Sequence, residues 1–249
     1  MMLNLSPEDI DALERATLAA VAPESVDEMD GWLVPIDTGT IGRAQSAVPL
    51  RGAKASADTL DKIERRYQAA GLKPKFRVSD HPLFAPIAQV LQLRGYRATK
   101  PTFVQVAHTR DLLLSDPMAV AVEQQPDAAW RTLFLGPGFD PVDGASRVRS
   151  LSRSSDNVYA SLRDNGQTVS GGAGSFSHGW ASVHGMRTDV AQRGRGLAGQ
   201  VLSALASTAL AKGYQRCFLQ VEADNLAAQS LYRRKGFQTV WAYAYLGKA

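Results

Sequence analysis

Residues 194–199 read G-R-G-L-A-G, and Arg193 and Arg195 supply positive charge beside the glycines. Glycine lets successive backbone N–H groups approach a ligand closely. At a helix start such amides, with the helix dipole, form a cradle for a phosphate or pyrophosphate. A strand-to-helix turn with no ligand is the bland alternative, but a turn needs neither three glycines nor two arginines. The string is also a literal G-x-G-x-x-G, and Glu222 ends the next strand-like run, as in a dinucleotide fold. A doubly wound sheet would need several more β-α units, whereas only 50 residues follow Gly199 and hairpins precede the loop. No Gly-Lys-Ser/Thr follows, which excludes a P-loop.

A strand must feed this loop and a helix must leave it. Trp180 to Thr188 reads as the strand, and Leu197 to Ala211 as the helix, stopped by Gly213. Upstream, Val158 to Arg163 pairs across Asp164-Asn165-Gly166 with Thr168 to Phe176, and Ser177-His178-Gly179 turns the chain into Trp180. Before that come a strand at Met118 to Val122 and helices at Asp127 to Phe134 and Gly144 to Leu151. Strand Cys217 to Glu222, helix Leu226 to Lys235 and strand Thr239 to Leu246 follow the loop. Glycine is concentrated in this region, with 15 of 21 lying after Trp130.

The first half has a similar order. Ser6 caps a helix with Pro7 in its first position and Ile10, Leu13, Thr17, Leu18 and Val21 at helical spacing. Strands Trp32 to Ile36 and Thr40 to Val48 are joined by the turn residues Asp37, Thr38 and Gly39. Helix Asp58 to Ala70, strand Lys75 to Val78, helix Leu83 to Leu93 and strand Thr102 to Ala107 complete it. Gly71 to Gly95 spans 24 residues and Gly213 to Gly236 spans 23, each around a strand and a helix. This parallel points to a duplication.

T-D-V-A-Q-R-G-R-G-L-A resembles the acetyl-CoA-binding signature of the GNAT (general-control-related) N-acetyltransferases, R/Q-x-x-G-x-G/A, through Arg193, Gly196 and Ala198. N-L-A-A-Q-S-L-Y-R-R-K-G-F resembles that family's second signature through Asn225, Ala228, Leu231, Tyr232, Gly236 and Phe237. The resemblance covers about residues 158 to 246, and the first half resembles a degenerate copy, as in tandem members. It implies a mixed α/β (α+β) fold of two GNAT-like units, 1–115 and 116–249, each a mostly antiparallel twisted sheet flanked by helices. Gly194, Arg195, Gly196, Leu197, Ala198 and Gly199 would then hold the pyrophosphate of acetyl-CoA with Arg193. Met186, Arg187 and Thr188 would line the pantetheine, Asn225 would join them, and Tyr232 would protonate the departing thiolate. The reaction implied is direct attack by a primary amine, without a covalent enzyme intermediate. In the first half Leu91 stands at the position of Tyr232, and R-G-A-K-A (Arg51 to Ala55) lacks the glycine pair. Catalysis is therefore expected in the second half only.

The attacking amine must lose a proton, because a reference pKa near about 10 leaves it an ammonium at neutral pH. Alternation puts Ser182, His184, Met186 and Thr188 on one strand face, with no carboxylate before Asp189. His184 is the candidate base, with a reference pKa of about 6.5; a packed strand histidine and a water relay are the alternatives. Gln220 stands where some relatives carry an acid and can orient a substrate but cannot act as a base.

With 45% hydrophobic, 21% charged and 8% aromatic residues, the chain is an ordinary globular sequence. No apolar stretch reaches the roughly eighteen residues of a membrane span, and Glu8, Asp9 and Asp11 stand where a signal peptide would be basic and then apolar. A cytoplasmic protein, monomer or homodimer, is expected. The lone Cys217 and four histidines without ligand spacing argue against a metal, and the scattered cations of a net +4 chain against nucleic acid. The acceptor, a small-molecule or peptide amine, would bind around Trp130 to Ser155. Arg147, Arg149 and Arg153 there could attract an anion, although a solvated helix face is the simpler reading. A non-catalytic acyl-CoA-binding or sensing module is the alternative function.

Overall fold

Two-residue turns with left-handed backbone at both positions shape the second half. Asn165-Gly166 (φ 48° and 79°) and His178-Gly179 (φ 48° and 76°) each reverse the chain between twisted antiparallel strands. A computed structural model describes residues 3, 5–136 and 140–248. Its elements are α1 (Pro7–Val21), β1 (Ser25–Met29), β2 (Trp32–Ile36), β3 (Val48–Pro49), α2 (Ala57–Ala69), β4 (Lys75–Ser79), α3 (Ala85–Leu93) and β5 (Arg97–His108). Then follow β6 (Ala121–Glu123), α4 (Ala128–Leu135), α5 (Pro141–Arg153), β7 (Asn157–Asp164), β8 (Gln167–Ser177), β9 (Trp180–Thr188), α6 (Leu197–Ala211), β10 (Arg216–Glu222), α7 (Leu226–Arg234) and β11 (Gln238–Gly247). Residues 137–139 of the expected acceptor region lie outside those described.

One expectation fails in the first half. The partner of β2 in its hairpin is β1, across Asp30-Gly31, rather than a strand over Thr40 to Val48. That stretch is a 3-10 turn at Gly42–Gln45, and only Val48–Pro49 pairs with β2. The reason lies in Asp37, whose buried carboxylate accepts Gly39 N–H and an Arg153 N–H from α5, pulling the segment off the sheet. At the start of α1 Ser6 is the N-cap as expected, with Pro7 following it and Asp9 Oδ2 accepting Ser6 N–H at 2.9 Å.

Beside the small sheet β1-β2-β3, eight strands form one sheet in the order β4-β11-β5-β10-β9-β8-β7-β6. The last strand of the chain thus lies between β4 and β5, and β5 lies between β11 and β10. A shift of 141 residues carries Arg97 onto Gln238 and Val106 onto Gly247, and both Gln238↔Val106 and Gly247↔Arg97 are rungs of the β5–β11 ladder. The ladder therefore maps onto itself under exchange of the two segments.

Helix α1 covers one face of β8 and β9, and α6 covers the other. The α1-side core draws on the whole chain, with Leu13, Trp32, Phe76, Tyr96, Val104, Trp180, Phe218 and Trp241 in one cluster. On the α6 side, Val158, Ala181, Val183, Leu197, Leu205, Leu219, Tyr232 and Phe237 form a second. Among the described residues no helix is long and apolar enough to cross a membrane.

Candidate active site

The site begins where two parallel strands part. Strands β9 and β10 pair only from Ala181↔Cys217 to Val183↔Leu219. Beyond that point β10 stays in ladder with β5 as far as Glu222, while β9 turns away. A bulge accompanies the parting: Ala173 faces His184 and Gly171 faces Arg187, so β9 takes three steps against two of β8. Gly185 absorbs the extra residue with φ 59°, and a Cβ there would meet Leu151 Cδ1 at 2.9 Å and the Phe134 ring at 3.2 Å. Both the backbone and the space require glycine.

This bulge corrects the expected alternation. Ser182 and His184 share the α1 face, His184 lying edge-on to Phe218 at 6.2 Å. Met186 instead packs with the α6-side cluster, and Thr188 Oγ1 lies 2.9 Å from Ser170 Oγ. Arg187 is back in step with His184, its guanidinium 5.5 Å from the Phe134 ring centroid. Inserting one residue has moved Met186 and Thr188 to the opposite face from His184.

From Thr188 the chain enters the glycine loop. Asp189 accepts Ala191 N–H at 2.8 Å and closes a 3-10 turn, Val190–Gln192. Arg193 Nε donates to Thr188 O at 3.4 Å, and Arg195 donates to Gln192 Oε1. Gly194 and Gly196 both have φ 78°, and Gly196 is the N-cap of α6. Gly199 N–H returns to Gly196 O at 3.0 Å, so the turn wraps around the carbonyl and leaves the earliest amides of α6 facing outward. Leu197 is buried and anchors the turn, while Arg193 to Gly196 are exposed and Ala198 partly so. A Cβ on Gly199 would lie 3.4 Å from Lys235 Cε, which puts a cation beside the start of α6 that sequence inspection passed over.

Asn225 caps α7, its Oδ1 accepting Ala228 N–H at 3.1 Å. Two turns on, Tyr232 is only 7% exposed, with its ring 5.7 Å from that of Phe237. Burial, with the Cys217 thiol alongside, pushes its phenol up to about 12. It therefore holds its proton at neutral pH. His184 is 3% exposed, its Nε2 2.8 Å from Ser182 Oγ and its Nδ1 buried without a partner. Burial first, and then the Arg43 charge, hold its pKa well below 6.5, so it is a neutral imidazole.

Gln220 sits just past the parting and is fully engaged. Its Oε1 accepts from Arg43 Nη1 at 2.9 Å and Tyr243 OH at 3.2 Å, and its Nε2 donates to Thr17 Oγ1 at 3.0 Å. A buried pair, Arg77 with Glu14 at 2.5 Å, lies on the same α1 side. The helix arginines are tied down: Arg147 to Asp143 at 2.6 Å and Arg153 to Asp37, with Arg149 exposed. In the first half, Arg51 of the R-G-A-K-A loop donates to Asp11 and Glu8. Leu91 is fully buried at the position matching Tyr232. Among the described residues no group of His, Cys, Asp or Glu is arranged to hold a metal ion.

Comparison with known proteins places the overall fold and the family. A structure from Kribbella flavida, described as a GCN5-related N-acetyltransferase, superposes with a TM-score of 0.71 at 16% identity, covering 99% of this chain and 96% of that one. A tandem GNAT protein from the clavulanic acid biosynthesis pathway superposes with a TM-score of 0.60 at 10% identity, over 97% and 96%. The fold is that of the GNAT acyltransferases. The N-acetyltransferase YobR of Bacillus subtilis (strain 168) is 25% identical over 244 residues, 96% of this chain and 98% of that protein. Residues 8–246 match the family described as "Probable histone acetyltransferase Rv0428c C-terminal", and the chain belongs to it. It is an N-acetyltransferase of the GNAT type.

Proposed function

We propose that this enzyme moves the acetyl group of acetyl-CoA to a primary amine by direct attack in a ternary complex. The observation that carries the reading is the parting of β9 from β10 next to a helix start opened by two left-handed glycines. The amides from Gly194 to Ala198, in the turn that Gly199 closes, hold the pyrophosphate, with Arg193, Arg195 and Lys235 as counter-charges. The backbone of β9 from Met186 through Arg187 to Thr188 binds pantetheine and the thioester, and Asn225 closes the far side while capping α7. Donors aimed at the thioester oxygen lower the barrier by about 3 kcal/mol. As nitrogen bonds to the carbonyl carbon, the C–S bond breaks and Tyr232 gives its proton to the thiolate.

His184, neutral and closed off from solvent, is a poor acceptor for the ammonium proton. We assign it to fixing Ser182 and let the amine shed its proton to water. Two GNAT-like units, 1–115 and 116–249, share the sheet, and the second is catalytic: the first has Leu91 for Tyr232 and a loop occupied by its own acids.

Calorimetry with acetyl-CoA and CoA, followed by an amine screen read by thiol release, tests this. Tyr232→Phe is expected to lower kcat by about 100-fold with little change in acetyl-CoA affinity. Acetyl-CoA binding without transfer to any amine would instead favour an acyl-CoA sensor.

A further inference from the structure

Arg43 lies at the inner end of the opening between β9 and β10, on the α1 face. Its Nη1 bonds the side chain of Gln220, the first β10 residue past the last rung with β9. Its charge is felt at His184 on β9 and at Tyr245 on β11. Gly42 beside it packs directly against the Tyr245 ring. Three strands therefore converge on this one guanidinium, supplied by a 3-10 turn from the far end of the chain.

Its electrostatic situation is unusual. Other arginines on this side are ion-paired: buried Arg77 with Glu14, part-buried Arg147 with Asp143 and exposed Arg153 with Asp37. Among the described residues no carboxylate lies within ion-pair distance of Arg43. Its contact, Gln220, is neutral and already saturated by Tyr243 and Thr17. Arg43 Nε–H is buried without a partner. A half-buried cation without counter-charge is costly, and a rigid fork of N–H donors suits a carboxylate better than any other small group.

The phosphates of the donor do not meet this need. Their cradle at the start of α6 belongs to the opposite face of the sheet, where α6 packs, whereas Arg43 sits beside α1. Pantetheine carries no anion. We propose that Arg43 receives a carboxylate carried by the acceptor, so that the acceptor is a small amino acid with its carboxylate close to the reacting nitrogen. This rests on the acetyltransferase reading above.

The test pairs free L-amino acids with their carboxamides and their decarboxylated amines, in a thiol-release assay with acetyl-CoA. For the wild type, kcat/KM for the best amino acid should exceed that for its amide by about tenfold or more. Arg43→Gln should remove that preference, chiefly through KM, and leave the acetyl-CoA Kd from calorimetry within about twofold. Arg43→Lys, which keeps the charge, should retain part of the preference and shows that the loss does not come from misfolding. Transfer to amides or plain amines at equal efficiency, or a preference that survives in Arg43→Gln, would overturn the proposal. So would a preference for succinyl-CoA with uncharged amines that depends on Arg43, since the arginine would then read the acyl chain. Failure of the wild type to bind acetyl-CoA in the calorimeter would sink the acetyltransferase reading and this one with it.

Discussion

His184 shows how burial changes what a side chain can do. On strand alternation alone it stood as a proton acceptor among Ser182, Met186 and Thr188; in the fold it is enclosed against Phe218 with one ring nitrogen unpartnered. Its folded pKa is depressed, so the folded protein refuses a proton that the unfolded chain accepts below about 6.5. Stability from this group is fully present above that value and is lost as pH falls. The loss falls in the window around and below about pH 6.5, where the unfolded chain takes up the proton that the fold refuses. His184→Gln keeps a donor for Ser182 and cannot titrate, so the stability of the variant in urea unfolding should fall less steeply with decreasing pH over that window. Equal slopes for both proteins would mean that the imidazole charges in the fold, and would return it to contention as a base. No sequence signal announces such enclosure, because it depends on Phe218 and Arg43, far along the chain in both directions.

At the scale of elements, the glycines divide by what each is for. Gly196 and Gly213 both take left-handed backbone, φ 78° and 85°, and neither has an atom within 4 Å of an added Cβ. Alanine at either site costs about 1 kcal/mol of backbone strain. Only Gly196 faces the proposed pyrophosphate. Gly196→Ala should therefore weaken acetyl-CoA binding by about tenfold or more in calorimetry, whereas Gly213→Ala should match it in lost stability and bind normally. Equal binding losses would show that the loop acts only through the fold. These turns were legible: Gly71, Gly95, Gly213 and Gly236 end their helices as their spacing implied. The bulge at Gly185 was not, since its one-residue slip shows only against β8 across the sheet, and it moved half of the expected face to the other side. Thr40 to Val48 was misread because a buried Asp37 overrode an apolar pattern.

The whole molecule depends on an exchange. Were residues 1–115 and 116–249 independent units, β10 would lie beside β11, and β4 beside β5. Instead β5 takes the place beside β10 and β11 the place beside β4. The repeat around Gly71 and Gly213 was legible in sequence, but this pairing was not, because both arrangements use the same strands with the same faces. The consequence is a core that neither segment fills alone: Phe76, Tyr96 and Val104 from the first pack in one cluster with Trp180, Phe218 and Trp241 from the second. Cutting between 115 and 116 and expressing 116–249 by itself leaves β10 with an open edge and β11 without either neighbour. That fragment should fail to give a monomer that unfolds cooperatively at the full-length Tm, while both fragments made together should co-purify as a 1:1 complex that does. Sedimentation and calorimetric melting decide it. A stable, monomeric 116–249 with an unchanged Tm would mean that β11 can return to β10 at no cost, and that the exchange is incidental to the fold.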